Sequence, residues 1–217
     1  MNDGSSQGGD VPDDSRVRWT RRYAGDVPEW MLVPHPVVIG ELNELDPSAH
    51  PADAALDLGA GAGRHALWLA ARGWRVTAVD FVVDALHVAE RRARASGLRI
   101  RAVEADLARY RPQPASVGLA LAAFVHPEPE ARREMLTHAA RALAPEGVLV
   151  LVGYHPDAVG RGYGGPNRRA CAYDPEELRG ELVGLRIDRC ERVGHPATRS
   201  DGHPGSVGLT VVRAARD

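Results

Sequence analysis

The sequence predicts one α/β domain in which helices cover both faces of a mostly parallel sheet. From residue 54 to residue 152, short apolar strand patterns alternate with amphipathic helix patterns, which is the order typical of such sheets. A glycine-rich turn follows the first strand, and acidic residues lie at the ends of the first three strands. A chain of 217 residues is long enough for one such domain with a substantial core.

The N-terminal part of the chain divides into two segments before this domain begins. Residues 1–14 are polar and predict a disordered tail. Residues 15–50 predict a helical cap, and residues 51–217 then form the main domain. Within the cap, helices are predicted at 16–23 and 37–45.

The main domain is predicted as a regular alternation of elements. Strands are predicted at 54–58, 75–79, 98–103, 117–124, 147–152, 185–193 and 207–213. Helices are predicted at 64–72, 82–96, 128–144 and 175–182. Gly73 and Gly97 end two of the helices, because glycine tolerates the positive φ of a C-cap, and Asp174 caps the start of the last one. A polar loop is predicted at 195–205.

Residues 54–63, which read Ala-Ala-Leu-Asp-Leu-Gly-Ala-Gly-Ala-Gly, join a strand to a helix through a tight turn. The glycines allow positive φ and remove the Cβ atoms that would keep a ligand away from the backbone. The start of the following helix offers backbone N–H groups that have no partner inside the helix. The turn therefore predicts close binding of a nucleotide-like or carboxylate-bearing ligand.

Composition excludes several classes of function. All 27 basic residues are arginines, so a P-loop and a Schiff-base mechanism, which both need lysine, are excluded. The net charge of −2 gives no basic excess for nucleic acid. The two cysteines and nine histidines show no metal-binding spacing, so no metal is expected. The chain shows neither a membrane-length apolar run nor a secretory signal pattern, so a cytoplasmic location is expected.

The spacing of the glycines distinguishes between two kinds of ligand. A dinucleotide turn reads G-x-G-x-x-G, whereas this turn reads G-x-G-x-G and has Arg64 at the position of the last glycine of that pattern. The sequence Asp57-x-Gly59-x-Gly61-x-Gly63 instead resembles the first motif of class I S-adenosylmethionine-dependent methyltransferases. The carboxylate at the end of each of the next two strands matches the same family, where it holds the ribose and the adenine.

Further segments resemble one subgroup, the small bacterial methyltransferases similar to tellurite-resistance and thiopurine methyltransferases. The matching segments are residues 19–23, 63–70, 124–127 and 162–166. The resemblance extends from Trp19 to the C-terminus and implies a single doubly wound, Rossmann-like domain. Its seven-stranded sheet is mostly parallel, with the last strand antiparallel. The chain departs from the subgroup at His65, where relatives carry asparagine, and at Val82, where they carry serine.

The resemblance implies S-adenosyl-L-methionine as the cofactor and a small molecule as the methyl acceptor. The residues expected to contact the cofactor are Asp57, Gly59, Gly61, Gly63, Arg64, Asp80, Phe81, Asp106, Leu107 and Ala123. Methyl transfer would proceed by in-line displacement at the sulfonium, with positioning as the main contribution of the protein. His126, His155 and Tyr163 follow the fourth and fifth strands and are the catalytic candidates. Trp30 and His35 of the cap are expected on the acceptor side.

Other functions stay open at the level of sequence. A non-catalytic S-adenosylmethionine-binding regulatory or accessory protein would carry the same glycine turn. A nicotinamide-dependent reductase is disfavoured by the glycine spacing, and a nucleic-acid methyltransferase by the lack of a basic excess. The expected partner is a small-molecule acceptor, with no nucleic acid and no membrane, and the expected state is a monomer or a homodimer. The acceptor atom could be oxygen, nitrogen, sulfur, selenium or tellurium.

Overall fold

The computed structural model describes residues 14–50 and 52–217. The predicted tail at 1–14 lies outside the described residues, apart from Asp14. Asp14 begins helix α1, which runs over Asp14–Tyr23, and helix α2 runs over Pro36–Leu42. Short 3-10 turns at Glu29–Met31 and Pro47–Ala49 lie on either side of α2. The segment at 15–50 thus contains two helices and two turns, and its role as a cap stays a prediction.

The main domain alternates strands and helices as predicted. Its strands are β1 (Ala54–Leu58), β2 (Arg75–Asp80), β3 (Ile100–Glu104), β4 (Val117–Ala123), β5 (Leu143–Tyr154), β6 (Arg186–Thr198) and β7 (Pro204–Ala215). Its helices are α3 (Arg64–Ala70), α4 (Val83–Ala95), α5 (Pro129–Ala142) and α6 (Pro175–Glu181). In the part of the chain that the structure describes, no helix is long and apolar enough to cross a membrane.

The strands form one sheet in the order β3-β2-β1-β4-β5-β7-β6. Strands β1 to β5 pair in parallel, and β7 is antiparallel to both β5 and β6. This topology confirms the predicted Rossmann-like fold with an antiparallel last strand. The chain order reverses between β1 and β4, so the carboxyl ends of these two strands border the crevice where ligands bind in open α/β sheets.

The sheet is the centre of two hydrophobic clusters, one on each face. All seven residues of β4 are buried. Leu119 and Leu121 of this strand belong to one cluster, and Ala120 and Ala122 belong to the other. Because the side chains of a strand alternate between faces, a strand that is apolar at every position must be covered on both sides. The burial of β4 therefore explains the continuous apolar run in its sequence.

The last two strands extend beyond the sheet as a long hairpin, where the sequence predicted a polar loop. His195 pairs with Val207, and Ala197 pairs with Gly205. Along this part of β6, the half-buried residues 193, 195 and 197 alternate with the exposed residues 194, 196 and 198. The loop prediction was wrong because only one face of the extension is covered, which leaves every second residue polar, glycine or proline.

A buried ion pair fixes α6 and the segment before it against α5. Arg132 is only 1% exposed. Its Nε and Nη2 atoms donate to the two carboxylate oxygens of Glu181 at 2.8 and 2.7 Å. Its Nη1 atom donates to the carbonyl oxygens of Ala170 and Ala172 at 3.1 and 3.2 Å. The guanidinium charge is therefore matched by a bidentate carboxylate and by two backbone groups.

We expect Glu181→Gln to lower the free energy of unfolding by roughly 3 kcal/mol, because the variant leaves the Arg132 charge buried without its main counter-ion. Urea unfolding followed by tryptophan fluorescence measures the loss. Glu176→Gln is the matched control on the same helix, since the Glu176 side chain is 88% exposed and lies 3.9 Å from Arg179. Its expected effect is below about 0.5 kcal/mol. Equal losses in the two variants would contradict this account.

Candidate active site

Three glycines after β1 hold the turn in left-handed backbone conformations. The φ angles are 73° at Gly59, 53° at Gly61 and 76° at Gly63, a region in which residues with a Cβ atom are strained. Space is also restricted, since a Cβ atom would lie 2.8 Å from Val125 at Gly59 and 2.7 Å from Ala89 at Gly63. The turn therefore needs glycine both for its conformation and for its close packing.

Asp80, the last residue of β2, ties the tip of that strand to the glycine turn. Its Oδ2 atom accepts a hydrogen bond from the Gly61 N–H group, and its Oδ1 atom accepts one from the Val82 N–H group, both at 2.9 Å. Burial raises the pKa of the Asp80 carboxyl, and these backbone hydrogen bonds oppose the rise. A carboxylate oxygen has two lone-pair sites, so both oxygens can still accept from a ligand hydroxyl.

Asp57 lies inside β1 and is only 1% exposed. Its Oδ2 atom has no hydrogen-bond partner among the residues that the structure describes. Burial raises the pKa of the Asp57 carboxyl to about 7, and the Arg64 guanidinium partly opposes this rise. A buried carboxyl with an unused oxygen, two residues before the glycine turn, can accept from a cationic or hydrogen-bond-donating ligand group.

The other residues predicted to contact the cofactor lie at the same edge of the sheet. Phe81 follows β2 directly, and Asp106 and Leu107 follow β3. Asp106 is exposed, and its Oδ1 atom accepts from the backbone N–H group two residues later at 2.9 Å. Leu107 is buried, as is Ala123 at the end of β4. The fold thus brings these residues to one edge, and their contact with a ligand stays a prediction.

Helix α1 covers the open side of the glycine turn. The Tyr23 hydroxyl lies so close to the Gly61 backbone that a Cβ atom at Gly61 would collide with it. Burial raises the pKa of Tyr23, and the Asp80 carboxylate adds to the rise. Near the other end of α1, Arg16 Nη1 donates to the Phe81 carbonyl at 3.2 Å, and the guanidinium lies 5.1 Å from the Phe81 ring centre. Helix α1 therefore extends from the turn to the tip of β2.

Arg92 of α4 holds the cap against the glycine turn. Its Nη1 atom donates to the Ala62 carbonyl at 2.6 Å, and its Nη2 atom donates to the Leu32 carbonyl at 2.7 Å. Burial lowers the pKa of this guanidinium. Because one planar group binds both carbonyls, the cap segment around Leu32 has a fixed position relative to the turn.

An open cleft of about 370 Å³ lies next to the glycine turn. Two of its apolar side chains are strongly exposed, Trp30 at 60% and Val33 at 53%. The lining also includes two basic groups and one acidic group. The lining residues are Glu29, Trp30, Val33, Pro34, His35, Pro36 and Arg64. The predicted acceptor-side residues Trp30 and His35 therefore share one cleft with the residue that follows the turn.

His35 caps the start of α2 and is neutral near pH 7. Its Nδ1 atom accepts from the Val37 N–H group at 3.3 Å, so the proton of the neutral ring is on Nε2. Burial lowers the pKa of His35 to about 4, and His195 and Arg64 contribute to this shift. The His35 backbone N–H group donates to Nε2 of the buried His65 at 3.2 Å. Backbone groups therefore fix the tautomer of both rings.

Phe124, the first residue after β4, lies at the centre of an aromatic cluster. Its φ angle of 59° is unusual for a residue other than glycine. Its ring centre lies 4.6 Å from that of His35 and 5.6 Å from that of Tyr154. The Arg64 guanidinium carbon lies 5.1 Å from the same ring centre. A strained backbone at the point where the strand order reverses marks this segment as part of the candidate site.

His126 lacks the free nitrogen that a catalytic base needs. Its Nδ1 atom lies 3.0 Å from the Cys171 carbonyl oxygen, and its Nε2 atom accepts from the Tyr154 N–H group at 3.2 Å. Burial lowers the pKa of His126 to about 4, so the neutral ring donates from Nδ1. The ring centre lies 4.8 Å from that of Tyr173. This geometry argues against the predicted base and gives His126 the role of holding the segment after β4 against β5.

The other two catalytic candidates also contact protein groups. His155 Nδ1 accepts from the Asp157 N–H group at 3.2 Å and caps a short 3-10 turn. The Tyr163 ring packs against Gly205 of the hairpin, and its carbonyl accepts from the Tyr154 hydroxyl at 3.1 Å. Catalytic roles for both residues stay predictions. Within residues 14–50 and 52–217, no three His, Cys, Asp or Glu side chains are grouped so that they could hold a metal ion.

A family model described as a methyltransferase domain matches residues 55–147, a range that includes the glycine turn, Asp80 and Asp106. This region is similar in sequence to methyltransferase domains, and the sheet around it has the strand order expected for the class I fold. The glycine motif within it predicts S-adenosyl-L-methionine as the cofactor. No curated protein sequence matches the chain.

Solved structures with this fold align with nearly the whole chain. The N-methyltransferase NodS from Bradyrhizobium japonicum, in complex with S-adenosyl-L-homocysteine, is 22% identical and aligns over 94% of this chain and 99% of its own, with a TM-score of 0.70. A second structure, which concerns the conversion of a disulfide bond into a thioacetal group during echinomycin biosynthesis, is 21% identical. It aligns over 94% of this chain and 91% of its own, with a TM-score of 0.70. TehB from Haemophilus influenzae is 15% identical and aligns over 93% of this chain and 67% of its own, with a TM-score of 0.68. These similarities establish a shared fold.

The residues of the methyltransferase domain fit this cofactor on two observations. The unused Oδ2 atom of Asp57 gives a cationic group of a ligand a buried acceptor. The missing Cβ atom at Gly61 leaves room beside the backbone; the Tyr23 hydroxyl lies in this room, so a polar ligand group reaches the Gly61 backbone only if the Tyr23 side chain moves. Asp57 and Gly61 are therefore the residues whose local structure best supports the predicted cofactor contacts.

His195 lies beside His35, although the sequence predicted it in a polar loop. The hairpin extension brings its ring centre to 4.7 Å from that of His35. The signal in the sequence was the two-residue alternation along this part of β6. The glycine-rich segment at 160–165 is also joined to the hairpin, since the Ser200 N–H group donates to the Gly162 carbonyl at 2.7 Å. The hairpin therefore packs against His35 and against the segment at 160–165.

We expect Asp57→Asn to remove one pH dependence of stability. The folded-state pKa of about 7 lies above the ordinary value of 3.8, so between these values the folded protein binds the extra proton and gains stability as the pH falls. When the pH falls from 8 to 6, the free energy of unfolding of the wild type should rise by about 1 to 2 kcal/mol relative to that of Asp57→Asn. Urea unfolding at both pH values measures this shift. The titration of the buried histidines contributes equally to both proteins, because both contain them. The same difference in the free energy of unfolding at both pH values would contradict the raised pKa of Asp57.

Proposed function

We propose that this methyltransferase domain transfers a methyl group to a small organic acceptor that binds in the cleft beside Arg64 and His35. The observation that carries the proposal is the position of the cleft, because Arg64 follows the glycine turn directly and also lines the cleft. A volume of about 370 Å³ is in the range of small-molecule sites. The cofactor turn and an open, largely apolar cleft thus meet at one residue.

On the cofactor side, the proposal assigns the contacts to the turn and to the strand ends. The glycine turn and the buried Asp57 bind the amino-acid part, and Asp80 uses its remaining lone pairs to accept from the ribose hydroxyls. Asp106 and Leu107 contact the adenine. Phe81 and Ala123 line the same edge. Helix α1 lies over the turn and excludes water from it, which strengthens the polar contacts beneath.

On the acceptor side, two histidines near the cleft are unsuited to act as a base. Both nitrogens of His126 bind backbone groups, and His35 uses Nδ1 as a helix cap. The pKa of each ring is lowered to about 4 by burial. When bound, S-adenosyl-L-methionine supplies a methyl group that its sulfonium charge already activates. An acceptor that reacts without general base catalysis, such as a thiolate or an amine, therefore fits this site better than an alcohol.

We expect Asp80→Asn to weaken the binding of S-adenosylhomocysteine at least about tenfold, because one oxygen that can accept from a ribose hydroxyl becomes an amide donor. Isothermal titration calorimetry measures the affinity. Asp84→Asn, in the first turn of α4, is the matched control and should leave the affinity unchanged. Equal affinities of the wild type and Asp80→Asn would remove the ribose assignment.

Methyl transfer itself is tested with the purified protein, S-adenosylmethionine and a panel of small thiols, amines and alcohols. Release of S-adenosylhomocysteine is the measured product. We expect turnover with thiols or amines and little with simple alcohols, since the site lacks a suitable base at His126 and His35. Tight binding of S-adenosylhomocysteine without turnover for any acceptor would instead favour a regulatory or accessory protein.

A further inference from the structure

We propose that the acceptor is a flat organic anion, with its carboxylate or similar oxyanion between Arg64 and His35 and its apolar body against Trp30. This inference rests on the proposed function, because it names the substrate class of the same cleft. The proposed function uses only the position and the volume of this cleft. The chemistry of its lining makes the assignment more specific, and three observations carry it.

The first observation is a half-buried cation with few hydrogen-bond partners. Arg64 lines the cleft, and burial lowers the pKa of its guanidinium. Its Nη1 atom donates to the Trp30 carbonyl at 3.1 Å, which uses one of the five N–H donors of the group. None of the ion pairs within the described parts of the chain involves Arg64. The buried Asp57 carboxyl interacts with this guanidinium, but its pKa of about 7 leaves it only partly charged near neutral pH. A ligand anion in the cleft would add a full opposite charge to the partly desolvated guanidinium.

The second observation is a neutral histidine that presents a donor. Because the Val37 N–H group occupies Nδ1 of His35, the ring can only donate from Nε2. His35 lines the same cleft as Arg64. Two donors in one cleft match the two oxygens of a carboxylate, and the planar guanidinium fork suits this geometry. Glu29 is the acidic residue of the lining, and it is exposed, so solvent screens its repulsion of an anion.

The third observation is the exposed apolar surface of the cleft. Trp30 and Val33 are among the large hydrophobic side chains that the described residues leave exposed. The Arg22 guanidinium carbon lies 5.5 Å from the Trp30 ring centre, which helps to hold the indole in place. A small inorganic oxyanion would leave this surface in water. A planar hydrocarbon or heteroaromatic body would cover it and stack on the indole.

The test measures binding to the protein saturated with S-adenosylhomocysteine, so that it does not depend on turnover. The probes are flat carboxylates of increasing size, from 4-(methylsulfanyl)benzoate to naphthoates, each paired with its neutral amide. Calorimetry should give at least one carboxylate that binds about tenfold or more tightly than its amide. Arg64→Gln should abolish this preference. Arg101→Gln, the same change at an exposed position of β3, should keep it.

His35→Asn provides a second variant, because its Oδ1 atom can still cap α2 while the Nε2 donor is lost. We expect it to weaken carboxylate binding severalfold and to leave the affinity for S-adenosylhomocysteine unchanged. Trp30→Ala should weaken the carboxylate and the amide of each pair by the same factor. The preference for the carboxylate would then be unaffected, because the indole contacts the part that the two probes share.

Three results would overturn the inference. In the first, no carboxylate binds the wild type more tightly than its matching amide. In the second, Arg64→Gln still binds the carboxylate more tightly than the amide. In the third, Arg64→Gln loses affinity for S-adenosylhomocysteine but retains its affinity for the carboxylate. The last result would assign the Arg64 side chain to the cofactor. Failure of the proposed function looks different, because the wild type would then fail to bind S-adenosylhomocysteine or would bind it without turnover of any acceptor.

Discussion

The hydrogen bond from the Gly61 N–H group to the Asp80 carboxylate joins the two strands that define the site. It links the turn after β1 to the tip of β2, and it forms only because the turn adopts left-handed conformations. The same conformations let Val125 from the segment after β4 and Ala89 from α4 pack against the turn. One glycine-dependent backbone geometry thus sets the relative positions of three strand ends, one helix and the cofactor edge.

Around this turn, the charged and titratable groups divide into two kinds. Histidines that burial keeps neutral bind backbone groups, as His35, His65 and His126 do, and they fix loops and helix starts. Asp57 and Arg64 instead keep unused hydrogen-bonding capacity in partly or fully desolvated positions. Groups of the first kind stabilise the architecture, and groups of the second kind are the ones that a ligand would satisfy. The distinction depends on hydrogen-bond partners and cannot be drawn from residue type.

The sequence was sufficient to predict the fold and which residues lie at the carboxyl edge of the sheet, because local patterns determine both. Apolar runs such as β4 and the glycine spacing at 59–63 are readable without tertiary contacts. The sequence could not reveal that both nitrogens of His126 are occupied, since the partners come from residues 154 and 171. It also missed His195, because a hairpin extension covered on one face resembles a polar loop. The acceptor side depends on such long-range contacts, which explains why its prediction was poorer.

Arg92 has a consequence for how the N-terminal segment is attached to the domain. Its guanidinium joins the backbone near Leu32 to the glycine turn, whereas helix α1 contacts the same turn through Tyr23. Movement of α1 would therefore leave the backbone near Leu32 attached to the turn, but it would carry the Arg22 guanidinium away from the Trp30 ring. The position of the indole thus depends on α1, whereas the position of the backbone near Leu32 depends on α4.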